Sequence, residues 1–323
     1  MYDNKVTDYI DIYEKLRMNM KWKVSDKRIL MTIASIYVMN QKELDIKRFF
    51  EVADEIKRKA SLFSSMKSHP RFTTGALLDV NFDHPKSEVS TLFHLYQAFR
   101  KVKFSSGTFT YMAASIVLTN RDRIQDSQSV IHKAKEIYDE MKKEHFFLTG
   151  TSDYPLAALL AFEERPDLIS HIEHFYEELS KNGFSKGNDL QFLSHILSLD
   201  SDTSANQLIN RSIEVSDSFK EKGIRRKRMY YPIIGMLSLL PKEECNMDTI
   251  IAVYDKLNDH IKWQKEMNLI IAVSLFINDK LEASGLAETS IYTTLETILQ
   301  AQQAVMVSTM AAASASAATN GNN

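Results

Sequence analysis

The stretch YPIIGMLSLL, Tyr231 to Leu240, contains no Lys, Arg, Asp or Glu, yet it is bracketed by EKGIRRKRMY before it and PKEECNMD after it. A short charge-free run between charged turns reads as an element covered on every side. Working outward, six more runs of this kind appear: MTIASIYVM from Met31, FTTGALL from Phe72, YMAASIVL from Tyr111, YPLAALLAF from Tyr154, QFLSHILSL from Gln191 and NLIIAVSLFI from Asn268. Their first residues are spaced 41, 39, 43, 37, 40 and 37 apart. A steady period in this range is the mark of a helical repeat array.

The segments between the runs are longer and amphipathic. In LISHIEHFYEELSKNGF, Leu168, Ile172, Phe175 and Leu179 form one helical stripe, with Glu173, Glu177, Glu178 and Lys181 off it. The same reading applies to 3–24, 44–63, 87–104, 127–147, 205–224 and 247–261. Each unit is therefore an amphipathic helix, a polar turn and a shorter buried helix. Small residues near the middle of the runs, among them Ala34, Gly75, Ala114, Ala158, Ser194 and Gly235, are expected at close helix contacts. Gly107, Gly150 and Gly187 follow a Phe by three residues in FSSG, FLTG and FSKG, where a turn calls for positive φ or close backbone approach. Only 9 Gly and 6 Pro argue against a sheet-rich chain. The period exceeds the roughly 34 residues of tetratricopeptide repeats and lies nearer the HEAT class. The expected fold is all-α: a right-handed α-solenoid of about seven helix hairpins over residues 1–280, a superhelix of HEAT/TPR type. A capping helix is expected at 281–310 and a disordered Ala/Ser/Asn tail at 311–323.

Three segments together, YDNKVTDYIDIYEKLRMNMKWKVSDKRILMTIA (Tyr2 to Ala34), SHPRFTTGALL (Ser68 to Leu78) and LTGTSDYPLAALLA (Leu148 to Ala161), resemble a family of bacterial helical proteins designated a domain of unknown function, number 4003. The resemblance runs to about Ile277 and leaves out the tail. It implies no activity and no functional residue.

A net charge of −2 exerts no global pull toward nucleic acid or an anionic membrane, and no membrane partner is expected. No run approaches the roughly 20 apolar residues of a membrane span. The N-terminus lacks a basic segment followed by an apolar one, and Cys245 is the single cysteine, so a cytoplasmic location is expected. Charge is nonetheless separated between the two sets of turns. The amphipathic-to-buried turns carry eleven basic residues against four acidic ones (Asp26, Asp153, Asp189 and Glu266); the reverse turns carry six basic against fifteen acidic. Helix dipoles account for acids at the starts of the amphipathic helices, where Asp126, Asp167 and Asp248 suit that role. They do not account for Arg225, Arg226, Lys227 and Arg228 at the start of a buried helix. These four, with Arg71, and with Tyr230 and Tyr231 for stacking, are the candidate anion-binding residues; solvated loop cations are the plainer reading.

Signals for catalysis are sparse. His171, His174 and Glu178 share one side of a helix at spacing i, i+3, i+7 and are candidate ligands for a zinc or iron ion, against the plainer reading of a polar flank. His195 reads as a core histidine. Cys245, among carboxylates, is expected to have a raised pKa. Phe72, Tyr111, Tyr154 and Tyr231, repeating in register at the heads of the runs, read as packing elements and not as a ligand box. No catalytic residue and no cofactor is assigned. The leading expectation is a non-catalytic scaffold for a protein or peptide. An anion or nucleic-acid binder using the basic turns stands second, and a metal-dependent enzyme third.

Overall fold

A computed structural model describes residues 2–144, 148–162, 167–200 and 202–283. Among the described residues there are fourteen α-helices and no strand. The odd-numbered helices are α1 (Tyr2–Met20), α3 (Ile46–Lys59), α5 (Pro85–Lys101), α7 (Ser127–Glu144), α9 (Leu168–Lys181), α11 (Ala205–Glu221) and α13 (Met247–His260). The even-numbered ones are α2 (Lys27–Met39), α4 (Pro70–Asn81), α6 (Thr108–Thr119), α8 (Tyr154–Leu160), α10 (Asn188–Ser198), α12 (Tyr231–Leu239) and α14 (Lys265–Ala283). Each charge-free run falls in an even helix and each amphipathic segment in an odd one. Residues 281–283 complete α14; the rest of the expected cap, to 310, and the tail at 311–323 lie outside the described residues. So do Phe147, Glu163, Glu164 and Arg165 from the turns.

The chain forms two compact units. The first holds Thr7–Asp139 and Gly150–Phe162; the second holds residues 167–200 and 202–283 with 2–6, 140–144, 148 and 149. In the first, α2 packs on α4, α4 on α6 and α6 on α8, while α3 lies against both α4 and α5. In the second, α10 packs on α12 and α12 on α14, with α9 and α11 alongside. The even helices are covered nearly all round: every residue of α8 is buried, as is every residue of α2 from Ile29 to Met39. A charge in such a helix would lose its hydration, which is why the runs exclude charge.

Close approach is specific to position. A Cβ on Gly235 of α12 would stand 2.8 Å from Leu193 Cδ1 and 3.0 Å from Ile196 Cγ2 of α10. On Gly75 of α4 it would meet Ala53 of α3 at an ordinary 3.4–3.5 Å. Gly107 and Gly187 take φ of 145° and 146°, a region only glycine enters readily, and each precedes a buried helix. Gly150 does not follow them. Its φ of −131° is open to any residue, and its N–H is instead held by Asp153 Oδ2 at 2.8 Å.

Helix starts explain part of the acidic bias. Asp45 accepts from the backbone N–H of Lys47 and Arg48, and Asp126 from those of Gln128 and Ser129. At α13 the capping side chain is Asn246, not Asp248, which pairs with Lys222. Asp79 is not a turn residue. It lies inside α4, 3% exposed at its side chain, taking Arg48 Nε at 2.5 Å and the Tyr37 hydroxyl at 2.7 Å.

Candidate functional site

The turns from odd to even helices begin at well-formed C-caps. After α5, α9 and α11 the chain closes a Schellman-type pair: Phe104 N–H to Phe99 O, Phe184 N–H to Leu179 O, and Ile224 N–H to Phe219 O. Phe104 and Phe184, buried just past their caps, then each meet a tyrosine from the next buried helix along. Ser105 N–H donates to Tyr154 Oη at 3.1 Å and Ser185 N–H to Tyr231 Oη at 2.8 Å. The rings of Phe104 and Tyr154, and of Phe184 and Tyr231, meet edge-on at 4.5 and 5.0 Å. These tyrosines are packing elements, as their register implies. Each bond fastens one hairpin's turn to the next hairpin.

The four adjacent cations divide in two. Arg226 is absorbed by the fold: its guanidinium lies 4.5 Å above the Phe184 ring, Nε donates to Ser216 Oγ, Nη1 to the Asn182 carbonyl, and Nη2 stands 3.6 Å from Asp217. Lys227 pairs with Glu266 at 2.5 Å. Arg225 and Arg228 are exposed. Burial raises the pKa of Asp189, and nearby Arg228 pulls it back. So the helix start tolerates the cluster because acids one hairpin away on either side face it. Tyr230 and Tyr231 are both buried, so neither offers a stacking face; burial pushes Tyr230 up to about 12. The residue exposed between them and the cations is Met229. Arg71 is likewise internal. It lies 4.1 Å over the Phe72 ring, Nη1 donates to the carbonyls of Lys67 and Ser68, and burial lowers its pKa.

What these turns do present is apolar. Trp22 is 90% exposed, Leu62 85%, Phe63 100%, Met229 43% and Trp263 91%. With Met18 in the last turn of α1, they are the exposed large hydrophobic residues among those described, and they gather at the ends of odd helices or in the odd-to-even turns. The turn Met20–Lys23 is closed by Lys23 N–H to Met20 O at 2.8 Å, placing Lys21 and Trp22 at its corners. The turn Ser61–Ser64 is closed by Ser64 N–H to Ser61 O at 3.0 Å, with Leu62 and Phe63 at its corners. Trp263 has φ of 69°, in the left-handed region that sister turns assign to Gly183 and Gly223. A non-glycine residue there costs about 1–2 kcal/mol, and an exposed indole recovers none of it by burial. Sequence patterning missed these residues because they belong to neither a run nor a stripe. The signal was Lys21-Trp22-Lys23 and Lys262-Trp263-Gln264-Lys265, with both of the chain's tryptophans flanked by lysine.

The metal candidates are not brought together. His171 packs edge-on to Phe175 at 4.7 Å, His174 is exposed, and Glu178 accepts from Lys181 at 2.7 Å. Among the described residues no group of three or more His, Cys, Asp or Glu is placed to hold a metal ion. His195 is fully buried in α10. The Cys245 thiol is indeed pushed up, but by burial and not by its acidic neighbours, with Lys280 opposing. Burial raises the Asp153 carboxyl to about 6, against the Gly150 N–H and Ser152.

The family model described as "Protein of unknown function (DUF4003)" matches residues 12–304. The chain belongs to this family. The match extends past Ile277 and includes both tryptophan-bearing turns. Over 323 residues the chain is 36% identical to "Uncharacterized protein YeaA" of Bacillus subtilis (strain 168), covering 99% of this chain and 98% of that protein. No solved structure matches. No helix among the described residues is long and apolar enough to cross a membrane.

Proposed function

We propose that this family member is a non-catalytic binding scaffold of the cytoplasm, a right-handed solenoid of about seven helical hairpins whose odd-to-even turns are its binding edge. The observation that carries the reading is that in each unit the exposed apolar side chains, flanked by cations, fall at the odd-to-even turns, while the even helices and the repeating tyrosines serve packing. Exposed apolar side chains grouped in one place and rimmed by polar ones mark interaction surfaces. Alternation of covered and amphipathic helices within each unit supports the solenoid arrangement. On architecture alone the partner is a protein or peptide; the nucleic-acid alternative now rests on Arg225 and Arg228, since Arg226, Arg71 and Tyr230 are held in the fold.

The test is site-specific photo-crosslinking in cells. A diazirine-bearing residue is placed at Phe63 or Trp263 and, as controls on the other set of turns, at Asp122 or Glu243, all exposed. Adducts confined to Phe63 and Trp263 support the binding edge. Equal labelling at all four positions, or none at the first two, refutes it.

A further inference from the structure

We infer that the odd-to-even turns of each unit dock on an anionic lipid surface, with Trp22 and Phe63 of the first unit and Trp263 of the second entering the headgroup region and the neighbouring lysines meeting lipid phosphates. This rests on the reading of those turns as the binding edge and names the edge's partner. Three observations select a lipid surface.

The first is how the side chains are held. Trp22 and the Leu62–Phe63 pair occupy corners of hydrogen-bonded turns that project them outward. Each tip is at least 85% exposed. Such tips suit a soft surface they can enter.

The second is the pairing of chemistries. In the first unit, exposed Lys21, Lys23 and Lys27 surround Trp22, and exposed Lys57, Arg58 and Lys59 precede Leu62 and Phe63. In the second unit, exposed Lys262 and Lys265 flank Trp263, while Arg225 and Arg228 lie beside Met229. An indole, with an apolar body and one N–H, is suited to the membrane–water boundary. Lysine can lay its stem along the apolar zone and keep its ammonium among the phosphates. The overall charge of −2 hides this, because it averages the basic turns with the acidic turns at the other end of the helices.

The third is what other partners leave unused. Nucleic-acid bases would stack on the rings, but Met18, Leu62 and Met229 have no ring to offer. A folded protein partner would need a separate pocket for each tip. The same Lys-Trp pairing recurs in the two units at Lys21-Trp22 and Lys262-Trp263, which fits a chemically uniform partner. Since no described helix can cross a membrane, the contact is interfacial.

The chain carries its own reporters, because it has 2 tryptophans and both are exposed. Trp22→Phe leaves Trp263 as the sole emitter, and Trp263→Phe leaves Trp22. Each variant is titrated with phosphatidylcholine vesicles and with vesicles containing added phosphatidylglycerol, at low and moderate salt, with co-sedimentation read in parallel. The expected result is a blue shift of both emitters on phosphatidylglycerol vesicles, quenching by brominated acyl chains, weakening with salt, and no shift on phosphatidylcholine alone. The double change Leu62→Ser with Phe63→Ser, at sites too exposed to support the fold, should lower partitioning about tenfold or more, about 1.4 kcal/mol per factor of ten, with the helical signal unchanged. The inference is overturned if neither tryptophan shifts and nothing sediments with phosphatidylglycerol vesicles at low salt, if the double-serine variant partitions like the parent, or if duplex DNA or an acidic peptide shifts the emission while vesicles do not. Should vesicles fail while crosslinks stay confined to Phe63 and Trp263, the binding edge stands and this choice of partner falls.

Discussion

Two glycine-to-alanine substitutions, alike in chemistry, should move stability in opposite directions. Gly75 and Gly235 both lie inside buried helices, where alanine gains about 0.5–1 kcal/mol by restricting the unfolded chain. At Gly75 the new methyl would meet Ala53 N, Cα and Cβ at 3.4–3.5 Å, ordinary contact distances, so the gain survives and Gly75→Ala should stabilise by about 0.5–1 kcal/mol. At Gly235 the methyl would stand 2.8 Å from Leu193 Cδ1, 3.0 Å from Ile196 Cγ2 and 3.3 Å from Ile196 Cβ. The leucine tip can rotate aside. Ile196 cannot, because a β-branched side chain in a helix has one strongly preferred rotamer, and its Cβ moves only with α10. Overpacking of this kind costs about 1–3 kcal/mol, so Gly235→Ala should lose about 0.5–2 kcal/mol net. Urea unfolding followed by far-ultraviolet circular dichroism reads both, with the midpoint moving and the slope constant. If both substitutions shift the midpoint the same way, the α10–α12 contact is not the tight one described.

Asp153 should make the protein lose stability as pH rises. Its folded value of about 6 exceeds the ordinary 3.8, so the folded state binds the proton more tightly; the stabilisation is complete below pH ~4 and gone above ~6. Each pKa unit is worth about 1.4 kcal/mol, so Asp153→Asn, which keeps an acceptor for the Gly150 N–H, should flatten this window and stabilise by up to ~3 kcal/mol at neutral pH, as thermal melts across pH would report. Tyr231→Phe removes the acceptor for the Ser185 N–H and should cost about 1–3 kcal/mol, with faster hydrogen exchange at Ser185; unchanged exchange there would contradict the bond. Tyr37→Phe should cost a similar amount by depriving Asp79 of a donor, and a variant as stable as the parent would show that water replaces the hydroxyl.

Helices were legible in the sequence because burial writes itself into composition. All seven charge-free runs became even helices, and the stripe Leu168, Ile172, Phe175 and Leu179 is buried along its whole length. The candidate site was less legible because periodicity reports faces of helices and says little about turns. Arg226 could not be separated from Arg225 without knowing that Asn182 and Phe184, one hairpin back, receive it. Asp79 reads from sequence as a turn acid, because its partners Arg48 and Tyr37 lie 31 and 42 residues away. Gly150 resembled Gly107 and Gly187 in spacing, yet a side chain three residues on, Asp153, does its work. Trp22 and Trp263 carried a local signal in their lysine neighbours, but only the structure shows that they are uncovered.

Four of the bonds that fasten one hairpin to another join residues 42 to 49 positions apart: Tyr37 to Asp79, Arg226 to Asn182, Tyr231 to Ser185 and Tyr154 to Ser105. During synthesis, each can therefore close soon after its hairpin leaves the ribosome. Lys5 reaches much further along the chain. Its ammonium donates to Asn278 Oδ1 at 3.1 Å, 273 residues away, and stands 3.5 Å from Asp279. At about 5–20 residues per second, the first residues of the chain wait roughly 15–50 seconds for that partner to be made. Until then α1 is held nearer its middle, where the Tyr9 hydroxyl donates to the Met31 carbonyl and the Lys15 ammonium to the Leu44 carbonyl, and α14 is what fastens its first turn.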